Sequence, residues 1–321
     1  MYHEVRKVYK RNRCERISCN IKQARGVSGR ERKMEQLRIA IPNKGRLSEK
    51  IYELLSSAGL SFPSKSERTL QVTTKDGKHS LIFVRTQDIP KFVEDSVADV
   101  GFTGFDIVTE SKVDVDKIMD LDFGQCDMIV AVKEEDDCNC AKDLPQEIKV
   151  ATSFPNIAKD YFDSIGKTAK IIEVSGATEI TPRLGLSNVI VDITSSGSTL
   201  KSNKLKIIDK IMVSSACVIA RKGLSVSQKQ KTEALLTALN AVLDARDKKY
   251  LMAHVPKASL EEIQLFLPGL SSPTVMPLMN DEDHVVIHVV VDAEKVYDSV
   301  QHLKKLGGQG ILIMTVDQMV R

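Results

Sequence analysis

The chain has 321 residues, 42% of them hydrophobic and 28% charged, which is ordinary for a globular protein of two or three domains. No segment approaches the roughly 20 apolar residues of a membrane helix, and the N-terminal region lacks the apolar segment of a secretory signal. The formal net charge of +3 comes from residues 1–33, which hold 11 of the 46 basic and 3 of the 43 acidic residues. The remainder is net acidic, so the composition excludes a broad nucleic-acid-binding face and gives no reason to expect a membrane partner.

Residues 1–33 differ in composition from the rest of the chain. They are rich in Arg but poor in Ser, and three glutamates interrupt them, which is not typical of a transit peptide. Met34 stands directly before the first clear strand. We therefore predict that the tail is an upstream extension, outside the folded body, and that Met34 is the functional start.

The six cysteines form no CxxC pair. Their scatter in a chain of this length indicates free thiols in the reducing cytoplasm, and we predict a cytoplasmic protein. Cys138 and Cys140 fall in a predicted exposed loop beside two aspartates. Two surface thiols are the favoured interpretation there, and a metal site is the alternative.

Apolar strands alternate with amphipathic helices from residue 37 to residue 248. The first predicted helix carries apolar residues at 47, 51, 54, 55 and 58 and ends at Gly59. The longest predicted helix covers residues 225–248. The predicted strands cover residues 37–42, 81–85, 100–102, 128–132, 148–153, 170–174, 188–193 and 206–220. This alternation indicates an α/β body with largely parallel sheets.

The C-terminal region has a different order of elements. Strands are predicted at 250–255, 274–278, 284–291 and 311–316, and helices at 260–267 and 293–306. The order βαββαβ is that of the ferredoxin-like unit, and we place its start near residue 247. His284 and His288 have the spacing of a helical metal site, but the surrounding valines predict a strand on which both share one sheet face.

The segment Asn188–Leu200 carries the clearest chemical signal. An apolar strand reaches Asp192, and a loop of small hydroxyl residues around Gly197 follows. Backbone N–H groups in such a loop can converge on a phosphate, and the carboxylate can accept from two ribose hydroxyls. The segment therefore predicts a ribose-5-phosphate site. A polar connection that only caps a helix would have the same composition and is the alternative.

The residues around this loop resemble the signature of the ATP phosphoribosyltransferases. The matching positions, in order, are Glu179, Gly185, Ser187, Ile190, Asp192, Ser196, Gly197, Thr199 and Leu200. Four further motifs agree, namely NKGRLS at 43–48, RTQDIP at 85–90, ADVGFTGFD at 98–106 and SSACVIA at 214–220. Residues 254–278 resemble the C-terminal domain of the long form of that enzyme. The resemblance thus runs from about residue 37 to residue 321.

The resemblance implies a two-lobed catalytic body of the type II periplasmic-binding-protein kind, with the chain crossing between the lobes near Asp127 and Ala216. Lobe I would comprise residues 34–127 and 217–246. Lobe II would comprise residues 128–216 and contain the phosphate loop. Residues 247–321 would form a ferredoxin-like (ACT-like) domain that binds L-histidine. The resemblance also implies a homohexamer, with a dimer as the smaller form.

The implied reaction is a pentosyl transfer, the first step of histidine biosynthesis. N1 of the ATP adenine displaces pyrophosphate at C1 of phosphoribosyl pyrophosphate (PRPP) and gives N1-phosphoribosyl-ATP. Because the ring nitrogen is already a neutral nucleophile, positioning and charge stabilisation should supply the catalysis, and we assign no catalytic side chain. Mg²⁺, held through the substrate phosphates, suits the pyrophosphate leaving group.

The resemblance also assigns the candidate binding residues. The PRPP 5-phosphate is assigned to Ser195, Ser196, Gly197, Ser198 and Thr199. The ribose hydroxyls are assigned to Asp192, and Glu179 is a candidate for a ribose or Mg²⁺ contact. The ATP candidates lie at strand ends, where helix N-termini favour phosphates, and are Lys44, Arg46, Arg85, Thr103, Gly104 and Asp106. A solvated loop is the structural alternative for Lys44 and Arg46, and a strand-end turn with a capping Asp is the alternative for Thr103, Gly104 and Asp106.

Five positions match the histidine site of the long form: His254, Leu270, Thr274, Val290 and Gly310. His254 stands where some relatives have an acidic residue. Asp127 stands where the family pattern often has an arginine, which reverses the local charge. A domain that serves assembly alone, with no ligand, is the alternative for residues 247–321.

Two other functions compete with this one. A two-lobed solute receptor without catalysis would share the fold, but it would need an export signal and has no use for a phosphate loop with an adjoining acid. A base-salvage phosphoribosyltransferase typically has two adjacent acids before its loop, whereas Ile193 follows Asp192 here.

Overall fold

The computed structural model describes residues 36–63, 69–267, 269 and 272–320. The predictions for the basic tail, for the Met34 start and for Leu270 lie outside these residues. Three sheets of six, five and four strands organise the described part of the chain. None of the described helices is both long and apolar enough to cross a membrane.

The bounds of the regular elements are as follows. The strands are β1 (Leu37–Pro42), β2 (Gln71–Thr73), β3 (His79–Val84), β4 (Val100–Gly104), β5 (Val115–Asp120), β6 (Cys126–Lys133), β7 (Glu147–Thr152), β8 (Thr168–Glu173), β9 (Val189–Thr194), β10 (Leu205–Ser214), β11 (Ala216–Arg221), β12 (Lys248–Pro256), β13 (Thr274–Leu278), β14 (Asp281–Asp292) and β15 (Gln309–Thr315). The α-helices are α1 (Arg46–Ser57), α2 (Ile89–Glu94), α3 (Phe105–Ser111), α4 (Pro155–Ser164), α5 (Ser198–Ser202), α6 (Val226–Ala245), α7 (Leu260–Phe266) and α8 (Val296–Lys305).

The first sheet has the order β2-β3-β1-β4-β11-β5. Helices α1 and α6 cover one of its faces, and α2 packs on the other. The predicted helical stripe explains α1, because Ile51, Leu54 and Leu55 point into this core and are almost completely buried. Leu235 and Leu239 of α6 belong to the same cluster, so the two helices share one apolar layer.

The second sheet has the order β10-β6-β9-β7-β8. Its core includes Met128 and Val191 from the strands and Ile157 and Phe162 from α4. Parallel pairing of β7 with both β8 and β9 brings the carboxyl ends of these three strands to one edge. The start of α4 and the loop after β9 therefore lie at the same edge of the sheet.

The prediction of largely parallel sheets is wrong. β1 is parallel to β3 and β4, and β7 is parallel to β8 and β9, but the other five pairings in these two sheets are antiparallel. Four of these five follow from the path of the chain, which leaves the first sheet after β5 and returns to it with β11, and the fifth joins the consecutive strands β2 and β3. The strands that begin or end these crossings, β6, β10 and β11, run against their neighbours.

The third sheet confirms the predicted βαββαβ unit. Its order is β13-β14-β12-β15, all pairings are antiparallel, and α7 and α8 cover one face. His284 and His288 lie on β14 as predicted, on the face away from the helices. His288 Nδ1 is 2.7 Å from the Tyr250 hydroxyl, and His284 Nδ1 is 3.1 Å from an Asp281 carboxylate oxygen.

Helix α6 begins at a capping box, in which the Ser225 hydroxyl accepts the Gln228 N–H and the Gln228 side chain accepts the Ser225 N–H. The helix was predicted to run to residue 248 but ends at Ala245. Lys248 already pairs with Asp292 in the third sheet. Only Arg246 and Asp247 therefore separate the helix from β12. The next residues, Lys248 and Lys249, are in the strand because they pair with β14.

The buried carboxylate of Asp99 bonds to residues of both the first sheet and α6. The Asp99 side chain has no exposed surface and forms ion pairs with Arg38 at 2.7 Å and Arg221 at 3.0 Å. It also accepts from Gln228 Nε2 at 3.0 Å. Burial alone would raise the pKa of this carboxyl, but the hydrogen bonds from Arg38 and Arg221 outweigh burial and hold the pKa below its ordinary value.

Candidate active site

A cavity of about 540 Å³ is lined by residues from both the first and the second sheet units. Its walls are the start of α1, the turn from β4 into α3, the crossing from β5 to β6 and the end of β9. A second cavity, of about 490 Å³, is lined by Lys133, Glu134, Glu135, Arg183, Asn203 and Lys204. None of those six is a predicted site residue. The first cavity is therefore the candidate active site.

The predicted phosphate loop follows β9 and turns at Gly197. Gly197 has φ 71° and ψ 2°, a left-handed conformation that favours glycine. Its N–H donates to Thr194 Oγ1 at 3.0 Å, and the Ser195 hydroxyl donates to the Gln125 carbonyl at 3.3 Å. The second bond joins the loop to the crossing that lines the cavity. The exposed hydroxyl residues of the loop are Ser195, Ser196, Ser198 and Thr199.

Two predicted carboxylates lie together beside this loop. Burial raises the pKa of Asp192, and the nearby charge of Glu179 adds to that shift. Hydrogen bonds from the Ile193 N–H, at 2.7 Å, and from the Thr178 hydroxyl act in the opposite direction. A carboxyl with a raised pKa and a neighbouring acid is typical of a functional site.

The turn from β4 into α3 presents Gly104 and Asp106 to the cavity. The Ser214 hydroxyl donates to Asp106 Oδ1 and accepts the Asp106 N–H, both at 2.9 Å. A Cβ on Gly104 would stand 2.2 Å from Asp106 Oδ1, so a larger residue there would displace the Asp106 side chain. Ser214, at the end of β10, fixes this carboxylate. Sequence reasoning missed it because the two residues are 108 positions apart.

Two cations lie on the α1 wall of the cavity. Arg46 was predicted and is exposed at the first residue of the helix. Lys50, one turn later, also lines the cavity and was not predicted. The i, i+4 spacing, which places both residues on one helix face, was the available signal. Two cations on one wall suit an anionic substrate.

Three of the six ATP candidates do not line this cavity. Thr103 is fully buried, and its hydroxyl donates to the Thr86 carbonyl at 3.3 Å. Because Thr86 itself lines the cavity, Thr103 supports that wall from behind. Lys44 and Arg85 are exposed at the ends of β1 and β3. Of the predicted residues, the cavity lining thus contains Arg46, Gly104, Asp106 and Ser195, but not these three, the acids Glu179 and Asp192, or residues 196–199 of the loop.

Helix α3 connects the two sheet units. Its residue Glu110 accepts hydrogen bonds from the N–H groups of Asn156 and Ile157, at 3.0 Å each, at the start of α4. A carboxylate at a helix N-terminus is electrostatically favourable. Lys112, which follows α3, pairs with Asp160 of α4 at 2.9 Å. These contacts fix the separation of the two cavity walls in the structure.

Asp127, where an arginine was expected, pairs with Lys210 Nζ at 2.7 Å. Asp127 lies opposite Thr194 in the β6–β9 pairing, at the base of the phosphate loop. The pair is half-exposed on both sides. A cation therefore stands beside the loop despite the substitution, although it comes from another strand.

Four candidate histidine-binding residues lie on the same face of the third sheet, away from α7 and α8. They are His254 on β12, Thr274 on β13, Val290 on β14 and Gly310 on β15. A Cβ on Gly310 would stand 3.7 Å from the His254 ring, so these two positions are adjacent. Thr274 lies beside His288, two positions along β14 from Val290.

Comparison with known proteins identifies the family. The ATP phosphoribosyltransferase family model matches residues 85–241, and the model of that family's C-terminal domain matches residues 245–318. The ATP phosphoribosyltransferase of Gemmatimonas aurantiaca is 42% identical over 292 residues, which cover 88% of this chain and 99% of the relative. The chain belongs to the ATP phosphoribosyltransferase family. The Methanocaldococcus jannaschii relative is 40% identical over 286 residues, with the same coverage.

A solved structure agrees with this assignment. The ATP phosphoribosyl transferase (HisG:HisZ) complex from Thermotoga maritima matches with a TM-score of 0.59 and 32% identity, over 65% of this chain and 99% of that chain. The expected α/β class is confirmed, with two sheets in the catalytic body and a ferredoxin-like domain after them, while the likeness to type II periplasmic binding proteins stays a prediction. The protein is thus a pentosyltransferase that joins ATP to PRPP in the first step of histidine biosynthesis.

Proposed function

We propose that the two substrates meet at the 540 Å³ cavity, with ATP at its α1 and α3 walls and PRPP at the adjoining loop–acid unit, which reaches the cavity at Ser195. The observation that carries this proposal is the meeting of the loop end, Ser195, with Arg46 and Asp106 around one cavity. The loop hydroxyls and N–H groups would hold the 5-phosphate. Asp192 would accept from the ribose hydroxyls, with Glu179 beside it.

In this arrangement the protein acts by placement. Cavity walls from both sheet units would hold adenine N1 in line with C1 of PRPP and the departing pyrophosphate. Arg46 and Lys50 would stabilise charge on polyphosphate groups. Asp106, held by Ser214, would accept from donor groups of the nucleotide. Lys44, Arg85 and the Thr103–Gly104 segment remain predictions for ATP binding.

Enzymes of this family generally use a divalent metal ion, and we assign Mg²⁺. Among the described residues, no three His, Cys, Asp or Glu side chains converge as a metal site. The neighbouring carboxylates of Glu179 and Asp192 offer hard oxygen ligands, which fits an ion that substrate phosphates also bind. Glu179 would contribute the protein contact, and the ion would neutralise charge on the pyrophosphate.

One assay tests this function against both alternatives. The protein is incubated with PRPP, Mg²⁺ and either ATP or free nucleobases, and the ultraviolet absorbance of phosphoribosyl-ATP is followed. We expect product with ATP alone. Product with a free base would support a base-salvage enzyme, and binding of ATP or PRPP without turnover would support the receptor.

The phosphate loop gives a direct prediction. A Gly197→Val variant should raise the KM for PRPP about 10- to 100-fold, since hydrogen bonds to a charged group contribute about 1.5–3 kcal/mol. Crowding is not the cause, because no atom lies within 4 Å of a Cβ built on Gly197. A β-branched residue is strained at φ 71° and would shift the N–H groups.

The matched control is Gly166→Val. Gly166 has φ 72° and equally open surroundings but lies beyond the far end of α4. Both variants should lose similar thermal stability, and only Gly197→Val should lose PRPP affinity. Equal KM values for PRPP in the two variants would contradict the loop assignment.

We further propose that residues 34–127 and 217–246 act as lobe I, residues 128–216 as lobe II and residues 247–321 as a regulatory domain that binds L-histidine. The grouping of His254, Thr274, Val290 and Gly310 on one sheet face supports the last assignment. We also propose a homohexamer, with the dimer as the smaller form, in the cytoplasm. The four described cysteines are free thiols, as a reducing compartment requires.

Histidine inhibition is the test of the third domain. L-histidine should inhibit the intact protein without competing with PRPP, and Thr274→Leu should raise the inhibitory concentration at least about fivefold, the low end of common allosteric couplings. Thr237→Leu is the control, because that threonine lies on α6 and its hydroxyl donates within the helix to Glu233. Unchanged inhibition of Thr274→Leu, or no inhibition of the wild type, would remove this assignment.

A point substitution is the sharper experiment than removal of the domain. The C-terminal segment packs back on the catalytic body: the Met319 N–H donates to the Ala241 carbonyl at 2.8 Å, and Gln318 Nε2 donates to the Ser57 carbonyl at 2.5 Å. Deleting residues 247–321 would therefore expose parts of α1 and α6 as well as remove the ligand site.

A further inference from the structure

We propose that Arg246 is a positioning residue for the ATP side of the cavity, and that it links the placement of the third sheet to that wall. The inference rests on the proposed function, because it assumes that Arg46 and Lys50 bind ATP phosphates. Arg246 itself lies outside the cavity lining. It acts through two residues of the crossing between β5 and β6, Asp122 and Phe123.

The contacts of Arg246 define the first step. Arg246 follows the last residue of α6, and β12 begins two residues later at Lys248. Its Nη1 donates to Asp122 Oδ1 at 2.5 Å, and its guanidinium carbon lies 6.0 Å from the centre of the Phe123 ring. The ion pair is 40% and 50% exposed on its two sides. A pair this exposed contributes little to folding stability, so we assign it to positioning the crossing between β5 and β6.

The same ring is contacted from the active site. Lys50 Nζ lies 5.7 Å from the centre of the Phe123 ring, and both residues line the cavity. Phe123 is only 4% exposed and belongs to the core of the first sheet. The buried Phe123 ring thus contacts Lys50, a cavity cation on α1, and Arg246, which lies two residues before the third sheet. Both contacts have the geometry of cation–π interactions.

The crossing is too tightly packed to move alone. A Cβ on Gly124 would stand 2.6 Å from Leu47 Cδ2, so the crossing lies directly on α1. The Leu121 N–H donates to the Ala216 carbonyl at 2.8 Å, and the Ala216 N–H donates to the Phe123 carbonyl at 3.0 Å. A displacement at Asp122 would therefore reach α1, which carries Arg46 and Lys50.

The junction is equally fixed to the third sheet. The Ala293 N–H donates to the Asp247 carbonyl at 2.9 Å, and Lys248 pairs with Asp292. Arg246 therefore moves with the third sheet on one side and holds the crossing on the other. A rotation of that sheet about the junction would pull on Asp122 and change the position of Lys50.

The test is a double-mutant cycle in the full chain with Arg246→Gln, Asp122→Ala and the double variant. Arg246→Gln should raise the KM for ATP roughly 3- to 30-fold, the range seen for residues that couple sites without touching ligand. The KM for PRPP and kcat should change less than about twofold, within the scatter of independent sites. The double variant should be no worse than either single variant, because both remove the same link.

The control is Lys249→Gln, a cation three residues away whose Nζ bonds Thr315 Oγ1 at 3.3 Å within the third sheet. It should leave both KM values unchanged. Arg246→Gln should also weaken inhibition by L-histidine while histidine binding, measured by equilibrium dialysis, is retained. Arg246→Lys, which keeps the charge, should restore part of the ATP affinity.

The outcomes separate the two hypotheses. A wild type that makes no phosphoribosyl-ATP refutes the proposed function. An active wild type whose Arg246→Gln variant has an unchanged KM for ATP overturns the positioning role, and so do additive effects in the cycle. If Arg246→Gln lowers the melting temperature enough for unfolding to account for its loss of activity, Arg246 has a purely structural role, and this result would also overturn the positioning role.

Discussion

An Asp192→Asn variant should lose most of its ability to use PRPP. We expect kcat/KM for PRPP to fall about 10- to 100-fold, because hydrogen bonds to a charged acceptor contribute about 1.5–3 kcal/mol and the amide accepts more weakly. The KM for ATP should change little, since the ATP candidates that line the cavity, Arg46, Gly104 and Asp106, lie on α1 and on the turn from β4 into α3. Steady-state kinetics with each substrate varied in turn measures both quantities.

The raised pKa of Asp192 separates a binding role from a folding role. Burial disfavours the charged form of this carboxyl, so ionisation costs stability at any pH above its folded pKa. A neutral asparagine removes that cost, and Asp192→Asn should melt at the same or a higher temperature than the wild type. Loss of PRPP use together with undiminished stability is the result expected for a functional carboxylate.

The pH dependence has a definite sign. Because the pKa of Asp192 is raised, kcat/KM for PRPP should begin to fall above the ordinary carboxyl range as the pH decreases. Asp163→Asn is the control, an exposed carboxylate of α4 at the opposite end of the helix from the loop. Equal losses for ATP and PRPP, or a lower melting temperature for Asp192→Asn alone, would point to a folding defect.

The sequence predicts the elements of this fold better than their directions. The C-terminal unit was predicted because its alternating apolar residues and turns are local patterns that one helix layer can satisfy. The error about parallel sheets came from β6, β10 and β11. A buried strand shows the same run of apolar residues whichever way it runs, and the crossings that reverse these strands depend on tertiary structure.

For the candidate site as well, the sequence predicted the residues that follow a local pattern and missed those whose roles depend on distant partners. Asp192 and the loop were predictable because one strand and its following turn hold both groups within eight residues. Ser214 and Arg246 were missed because their roles come from partners more than 100 positions away. Thr103 was predicted from a motif, but the motif could not show that its hydroxyl faces the Thr86 carbonyl instead of the cavity.

Asp99→Ala should produce the largest loss of stability, about 3–5 kcal/mol, the usual cost of removing one partner from a buried ion pair. Asp99 ties together β1 through Arg38, β11 through Arg221 and α6 through Gln228. Its removal leaves two guanidinium groups, 37% and 16% exposed, without their shared acceptor. The measurement is the free energy of unfolding in urea at one fixed protein concentration, since assembly also stabilises the folded state.

The pH dependence of this loss follows from the lowered pKa of Asp99. A carboxyl whose folded pKa lies below its unfolded value contributes stability above the unfolded value, about 3.9, and loses it as the pH falls through the folded pKa. The difference in unfolding free energy between wild type and Asp99→Ala should therefore be largest at pH 7 and become smaller as the pH falls into the acid range. The control Asp95→Ala removes only an exposed pair with Lys91 and should cause little loss of stability. The fraction of Asp99→Ala that folds should keep the wild-type KM values, because Asp99 does not line the cavity. If Asp99→Ala and Asp95→Ala have the same free energy of unfolding, the buried network does not hold the first sheet to α6.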